Sequence, residues 1–261
     1  MLNIDLGGKR ALVTGASSGI GAAIVLMLAD AGADIAINYR SDPATAEALA
    51  AQIRAKGRRA LALAADVADA GQVDAMFEAL TSAWGGIDIM VNNAGIDGHP
   101  ALGWTADLDQ WRQVLETNLF GTFYCCRQAL ARMVPQRAGV IINLSSVHET
   151  IPWSGFSAYT ASKAGVSMLT KTLAQEAAPN GVRVLAVAPG AIKTPINQNV
   201  WGDPAGLADL NRKIPMGRMG ERDEIARMVA VLASDVASYI TGTTVFVDGG
   251  MTDFADFAHG G

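Results

Sequence analysis

The sequence predicts a single α/β domain over residues 1–261, built on one doubly wound parallel sheet with helices on both faces. Three observations predict this fold: short apolar runs alternate with helical periodicity, no linker interrupts them, and half of the residues are hydrophobic. Parallel strands that are covered on both faces have unbroken apolar sequences, so this composition is typical of such a sheet.

The first strand, residues 9–13, leads into a glycine-rich turn at Thr14–Gly21, and a helical pattern follows. Glycines let the backbone approach a pyrophosphate, and the helix N-terminus offers free N–H groups and the positive end of a dipole. Three residues separate the first two glycines, unlike the commonest dinucleotide-binding pattern, so an ordinary strand-to-helix turn is an alternative here. The predicted cofactor contacts in this turn are Gly15, Ser17, Ser18, Gly19, Ile20 and Gly21.

The second strand, residues 34–40, ends on Arg40, and the next carboxylate is Asp42. An acidic residue at this place holds the ribose of NAD, whereas an arginine suits the 2′-phosphate of NADP. Arg40 therefore favours NADP. NAD can still bind through the ribose alone, and a solvated surface arginine is the alternative interpretation.

Five further apolar strands are predicted at residues 60–65, 87–91, 140–144, 183–188 and 244–247. In a doubly wound sheet the ligand groups gather at the carboxyl ends of the strands. The predicted ligand groups that follow these strands are Asp66 and Val67, Asn93, Ala94 and Gly95, Ser146, and Pro189 and Gly190.

Ser146 ends the fifth strand, and Tyr159 and Lys163 follow on one face of a predicted helix, one turn apart. A phenol ionises near pH ~10, and we expect the neighbouring ammonium to lower that pKa. With Ser146 holding a substrate oxygen, Tyr159 could exchange a proton with it, which is acid–base chemistry for interconverting an alcohol and a carbonyl. The alternative is an amphipathic helix with a solvent-facing lysine.

Composition and charge exclude several classes of protein. A net charge of −5 argues against a nucleic-acid partner. No apolar run approaches the ~20 residues of a membrane helix, and the N-terminus lacks the pattern of a signal peptide, so we expect a cytoplasmic protein without a membrane partner. The only cysteines, Cys125 and Cys126, are adjacent, which predicts neither a disulfide nor a metal site.

Together these segments resemble the short-chain dehydrogenase/reductase family across essentially the whole chain. The resemblance rests on Thr14–Gly21, Asn92–Gly95, Asn118, Ser146, Tyr159, Lys163 and Pro189–Gly190. It implies a Rossmann-type fold, cofactor contacts that include Tyr159, Lys163, Ile192 and Thr194, and a catalytic Asn118 that anchors a proton-carrying water; an asparagine that bends a helix is the alternative. It also implies a homotetramer that is formed by the helices around Phe120–Leu130 and Ser157–Leu173 and by the C-terminal strand.

Parts of the second half are similar to the bacterial glucose 1-dehydrogenase branch of that family, chiefly Ser145–Trp153 and Pro189–Asn197. The resemblance implies oxidation of β-D-glucose to D-glucono-1,5-lactone with NAD(P)⁺. It places Asp97, His148, Trp153 and Asn197 around the sugar beside Ser146 and Tyr159, although that branch would have glutamate where this chain has Asp97. Residues 196–210 predict a lid over the substrate, or else an ordinary surface helix.

Two other functions remain open at this point. The first is an NADPH-dependent reductase of 3-oxoacyl thioesters or small ketones, for which the chain shows little of the basic surface that an acyl carrier protein would need. The second is a non-catalytic dinucleotide-binding protein, against which the combination of Ser146, Tyr159 and Lys163 argues.

Overall fold

The computed structural model describes residues 4–253, with the backbone alone for Ile196 and Asn199. The predicted domain, residues 1–261, therefore extends beyond the described range at both ends. Within it, seven parallel strands form one sheet in the order β3-β2-β1-β4-β5-β6-β7. The strands are β1 Arg10–Val13, β2 Asp34–Tyr39, β3 Ala60–Ala64, β4 Ile89–Asn92, β5 Gly139–Leu144, β6 Val182–Pro189 and β7 Thr244–Val247.

Helices connect successive strands and cover both faces of the sheet, which confirms the predicted fold class. They are α1 Gly19–Asp30, α2 Pro43–Ala55, α3 Ala70–Trp84, α4 Leu108–Leu115, α5 Gly121–Gln136, α6 Ser157–Ala177, α7 Gln198–Trp201, α8 Pro204–Arg212 and α9 Arg222–Ala233.

Alternate residues of each strand enter two separate cores. Val13 and Ile37 point to one face, where α1, α2 and α9 supply apolar partners such as Ile24 and Val229. Leu12 points to the other face, where α3, α5 and α6 pack. Because side chains alternate across a strand, runs that are apolar at every position build both cores at once.

Cys125 and Cys126 are buried in the second core, and burial raises the pKa of the Cys126 thiol to about 12. They are two small core residues of α5. No helix in the described part of the chain is both long and apolar enough to span a membrane.

A buried polar ladder ties the helix α6 to the centre of the sheet. The Nδ2 of Asn92 donates to Asn143 Oδ1 at 2.8 Å, and Asn143 Nδ2 donates to Thr170 Oγ1 at 2.8 Å. Hydrogen bonds between buried side chains allow few alternative arrangements, so the ladder fixes how α6 lies on β4 and β5. The order of the strands reverses between β1 and β4, and a cleft opens there at the carboxyl ends.

Candidate active site

All but two of the predicted site residues line one cleft of about 740 Å³ at the carboxyl end of the sheet. A cleft of this size is typical of a cofactor or small-molecule site. The exceptions are Gly21, packed beneath the glycine turn, and Asn118, which lies behind Gly95. The predicted residues that line the cleft are Gly15, Ser17, Ser18, Gly19, Ile20, Arg40, Asp66, Val67, Asn93, Ala94, Gly95, Asp97, Ser146, His148, Trp153, Tyr159, Lys163, Pro189, Gly190, Ile192, Thr194 and Asn197.

Side chains from the neighbouring strands hold the glycine turn in place. Asn93 Nδ2 donates to the carbonyls of Thr14 and Gly15 at 2.9 and 3.0 Å. Asn38 accepts from the N–H of Gly15 at 3.2 Å, while its own Nδ2 bonds to backbone carbonyls that include that of Ala65. Sequence analysis missed Asn38, although an amide inside an otherwise apolar strand is the signal that could have identified it.

The turn and the start of α1 fit the pyrophosphate of a dinucleotide. A Cβ on Gly15 would lie 2.8 Å from the Cα of Ala94, and one on Gly21 would lie 2.6 Å from the carbonyl oxygen of Gly15, so both positions require glycine. Ser18 begins the helix without a capping bond from its side chain, and the first turn contains no acidic residue. The N–H groups in the first turn of α1 therefore remain available to an anion.

Arg40 lies where the ribose of the adenosine half would bind. Its side chain is about half exposed, at 55%, and its nearest carboxylate oxygen, on Asp66, is 4.0 Å away. A pair at that distance and exposure is weak, so the guanidinium is largely free to bind another anion. Ser17 and Ser41 line the same part of the cleft. These groups fit a 2′-phosphate.

Ser146 is the second residue after β5 and caps the start of a short 3₁₀ turn, Val147–Glu149. Its Oγ accepts a hydrogen bond from the backbone N–H of His148 at 3.2 Å. That bond orients the hydroxyl and leaves its proton free to donate to a group in the cleft. On the facing helix, Lys163 Nζ donates to the carbonyl of Leu144 at 2.8 Å and lies 5.5 Å from the centre of the Tyr159 ring.

Burial dominates the ionisation of both groups on α6. The pKa of Tyr159 is raised to about 12: burial has the largest effect, the Asp97 charge adds to it, and the hydrogen bond with the Ser146 hydroxyl opposes both. Burial lowers the pKa of Lys163 to about 8, against the pull of two carboxylates. The expectation that Lys163 lowers the tyrosine pKa is therefore wrong for the protein alone. The ammonium is held by Leu144 and lies over the ring, and desolvation of the phenolate outweighs its effect.

Asn118 lies in a π-helical turn, Glu116–Phe120, between α4 and α5. Its amide is buried: Oδ1 accepts from the N–H of Ile96, and Nδ2 donates to the Ile96 carbonyl and to Ser162 Oγ. The helix is thus widened at this residue. The same bonds position the loop after β4, which carries Gly95 against Lys163.

Asp97 and His148 supply hydrogen-bond acceptors to the substrate end of the cleft. Burial raises the pKa of Asp97, while Lys163 and His148 oppose the shift. Among the groups that the structure describes, which exclude the side chains of residues 196 and 199, none donates a hydrogen bond to this carboxylate. Burial lowers the pKa of His148, which favours the neutral ring. Its Nδ1 lies 3.0 Å from the Ile151 carbonyl and must carry the proton, so Nε2 is left as an acceptor.

The structure gives Trp153 and Asn197 less freedom than expected of sugar-contacting residues. Trp153 is stacked between His148 and Phe156, at ring distances of 4.5 and 3.9 Å, so it offers the cleft an edge rather than an open face. Asn197 Oδ1 accepts from the N–H and hydroxyl of Thr194, and its Nδ2 donates to the Ile192 carbonyl. Its amide therefore serves mainly to close its own loop.

The segment predicted as a lid, residues 196–210, forms the helix α7 and most of α8. Val200 and Leu210 from these helices line the cleft, as do Lys213 and, from the C-terminal segment, Met251. Sequence analysis gave neither residue a role in the site, although Met251 lies in a segment, residues 248–252, that also resembles the glucose 1-dehydrogenase branch.

The comparisons with known proteins agree with this geometry. A family model of short-chain alcohol dehydrogenases, described as enoyl-(acyl carrier protein) reductase, matches residues 15–252. The chain is 48% identical over 258 residues to 3β-hydroxysteroid dehydrogenase 1 of Eggerthella lenta, covering 98% of each protein. It is 44% identical over 243 residues to a 3-oxoacyl-[acyl-carrier-protein] reductase of Staphylococcus aureus, covering 93% of this chain and 98% of that one.

Solved structures are similar over nearly the full length. A gluconate 5-dehydrogenase from Burkholderia cenocepacia, in complex with NADP and tartrate, superposes with a TM-score of 0.92 at 36% identity, covering 97% of this chain and 98% of that one. A short-chain type dehydrogenase/reductase from Mycobacterium marinum gives a TM-score of 0.90 at 38% identity, covering 96% and 98%. The chain belongs to the short-chain dehydrogenase/reductase family and is an oxidoreductase of that family.

Proposed function

We propose that this protein interconverts an alcohol and a carbonyl, with Tyr159 as the acid–base group. The observation that supports the proposal is the convergence of Ser146, Tyr159 and Lys163 on the cleft that the glycine turn also lines. A bound nicotinamide cofactor supplies or accepts the hydride. Ser146 holds the substrate oxygen through its free hydroxyl proton, and Tyr159 removes the proton of the alcohol or returns it to the carbonyl oxygen.

Lys163 completes the proton path. Its ammonium lies one helical turn from Tyr159 and adjoins Gly95, which packs against Asn118. In this proposal Lys163 holds the nicotinamide ribose and exchanges protons with solvent through a water anchored by Asn118. The non-catalytic alternative gives no reason for a lysine to be buried in this place.

NADP is the proposed preferred cofactor, because Arg40 is a largely free guanidinium at the ribose end of the cleft. Arg40→Ala should weaken NADP binding about ten- to a hundredfold and NAD binding much less, since a charge-assisted bond to a phosphate contributes roughly 1.5–3 kcal/mol. Titration of cofactor fluorescence measures the dissociation constants for NADP and for NAD. Equal weakening of both cofactors would refute this role of Arg40.

The proposed substrate is a ring that carries several hydroxyls, most specifically β-D-glucose, which is oxidised to D-glucono-1,5-lactone. The support is chemical complementarity: Asp97 and the Nε2 of His148 are acceptors to which no group in the described part of the chain donates, and sugar hydroxyls are donors. A site built to bond several hydroxyls rejects analogues that lack them.

A second candidate is an apolar ring alcohol of the 3-hydroxysteroid class. It is favoured by the apolar lining that Ile151, Pro152, Val200 and Leu210 give to the cleft, and by the similarity to the Eggerthella lenta dehydrogenase. The similarity to the Staphylococcus aureus enzyme keeps a 3-oxoacyl thioester as the third test substrate.

Initial rates with D-glucose, a 3β-hydroxysteroid and a 3-oxoacyl thioester, each with NAD(H) and NADP(H), decide among the three. The variants Asp97→Asn and Asp97→Leu make the test sharper. If a polyhydroxylated ring is the substrate, both variants should lose at least about tenfold in kcat/KM, because bonds to a charged acceptor contribute roughly 1.5–3 kcal/mol. A steroid oxidised faster by Asp97→Leu than by the natural protein, with glucose inert, would overturn the sugar assignment and leave the dehydrogenase chemistry intact.

A further inference from the structure

Glu149 joins three elements directly beneath the reacting groups. It ends the 3₁₀ turn that follows Ser146, and its backbone N–H donates to the Ser146 carbonyl at 2.9 Å. Its Oε1 accepts from Ser167 on α6 at 2.9 Å, and its Oε2 accepts from Thr244 at the start of β7 at 3.4 Å. Sequence analysis included Glu149 only as part of the segment Ser145–Trp153 and gave it no role.

The helical position of Ser167 makes this contact relevant to the reaction. Ser167 lies four residues after Lys163, and Lys163 lies four after Tyr159, so all three share one face of α6. Ser167 is buried and Glu149 half-buried, so bulk water competes with their bond less than it would at an exposed site. A single side chain thus connects the turn that holds Ser146 to the helix face that holds Tyr159 and Lys163.

Charge adds a second connection. The Lys163 ammonium faces Asp97 from the loop after β4, Glu149 from the turn after β5 and the phenol of Tyr159 on its own helix, besides the neutral Leu144 carbonyl. Asp97 and Glu149 both favour the charged lysine against burial, which opposes it.

We propose that Glu149 is a positioning residue for the reaction, because it fixes the Ser146 turn against α6. The second part of this role is its charge, which favours the ammonium of Lys163 on the same face of α6 as Ser167. The inference rests on the proposed roles of Ser146, Tyr159 and Lys163. Two variants separate its two parts. Glu149→Gln removes the charge and keeps the shape, whereas Ser167→Ala keeps the charge and removes the anchor on α6. Glu176→Gln, at an exposed position of the same helix, is the matched charge control.

The charge part can be tested without any substrate. The rate at which acetic anhydride labels Lys163, followed against pH by mass spectrometry, gives the midpoint of its ionisation. Glu149→Gln should move that midpoint down by about 0.5–1 pH unit, the effect expected of one neighbouring carboxylate in a partly buried site. Ser167→Ala and Glu176→Gln should leave it within about 0.2 unit. An unchanged midpoint in Glu149→Gln would refute the charge part.

The geometric part is tested by kinetics with the substrate found in the rate panel. Ser167→Ala should lower kcat at least about threefold with KM for the cofactor unchanged, because a small misplacement of reacting groups slows chemistry. An unaltered kcat would refute it. Tyr159→Phe is measured alongside. If that variant keeps its turnover, the proposed function is wrong. If Tyr159→Phe is inactive but Glu149→Gln and Ser167→Ala keep the kcat of the natural protein, the proposed function stands and only the inference about Glu149 is wrong.

Discussion

At the scale of single residues, burial controls the chemistry of this site more than sequence neighbours do. Tyr159 and Lys163 are spaced so that an ammonium could assist a phenolate, yet the pKa of the tyrosine is raised to about 12 and that of the lysine lowered to about 8. Both shifts disfavour charge in a poorly solvated cleft. The protein alone therefore holds Tyr159 as a neutral phenol, ready to donate a proton to a carbonyl oxygen.

Tyr159→Phe should nearly abolish turnover and leave cofactor binding close to that of the natural protein. The substitution removes the proton-exchanging oxygen and keeps the ring that packs beside His148 and Trp153. General acid–base groups contribute about 10²–10⁴-fold, so the loss of kcat should lie in that range. Steady-state rates and cofactor titration measure the two effects, and activity within a few fold of the natural protein would contradict the role of Tyr159.

Lys163→Met should make the protein more stable below pH 8 while removing its activity. The folded lysine has a pKa of about 8 and the unfolded one a value near 10.4, so the buried ammonium destabilises the fold most below pH ~8. Its cost shrinks as the pH rises from about 8 to 10.4, because the unfolded chain then binds more protons than the folded one.

The gain from Lys163→Met should be on the order of 1–3 kcal/mol near pH 7 and should decrease toward pH 10. Urea unfolding of the variant and of the natural protein at equal protomer concentrations measures the difference at each pH. A gain that grew with pH, or a loss at pH 7, would show that the bond from Lys163 to Leu144 outweighs desolvation.

At the scale of elements, the strands and the glycine turn were predictable because their signals are local. An unbroken apolar run, such as residues 140–144, has few alternatives in a protein of this composition, and the predicted strands agree with the observed ones to within two residues at each end. Glycine is required at Gly15 and Gly21 by backbone geometry that the sequence pattern itself encodes.

The remaining features depend on contacts between distant segments, which no local pattern contains. The Asn38 amide reaches the glycine turn, Trp153 is covered on both faces by rings from its own loop and the preceding turn, and Glu149 reaches β7. The π-helical turn at Asn118 arises from bonds to Ile96 on another loop. Such features become visible only when the chain is folded.

Gly21→Ala tests the glycine turn as an element. The added Cβ would lie 2.6 Å from the Gly15 carbonyl oxygen and 2.6 Å from Asn93 Nδ2, so the turn or α1 must move. Cofactor affinity should fall at least about tenfold, which is roughly 1.4 kcal/mol. Gly71→Ala, in the first turn of α3, is the matched control, because its Cβ would meet only the flexible carboxylate of Asp69 at 3.3 Å. Equal affinities in the two variants would contradict this account.

At the scale of the whole molecule, one sheet serves both halves of the reaction. The strands to one side of the β1–β4 reversal carry Arg40 and Asp66, and those to the other side carry Ser146 and Gly190, so cofactor and substrate ends meet above a single continuous core. On the surface of the single chain, several large apolar side chains are left exposed. One set of exposed residues consists of Phe120 in the π-helical turn, Phe123 on α5 and Met168 on α6. A second set, at or near β7, consists of Tyr239, Ile240 and Phe246.

These two sets of exposed apolar residues, here called the two patches, lie on the helices and beside the C-terminal strand that the family resemblance assigns to subunit contacts, so we expect them to be covered in a homotetramer with two kinds of two-fold contact. We therefore expect the natural protein to have the mass of four 27.1 kDa chains in sedimentation equilibrium at micromolar concentration. Met168 is 61% exposed in the single chain and central to the first patch, so Met168→Lys would bury a charge at that contact and should reduce the mass to two chains. As a control, Ala48→Lys adds a lysine to α2, outside both patches, and should keep the mass of four chains. A natural protein of one chain, or a Met168→Lys variant that stays tetrameric, would show that these patches are not the contacts between subunits.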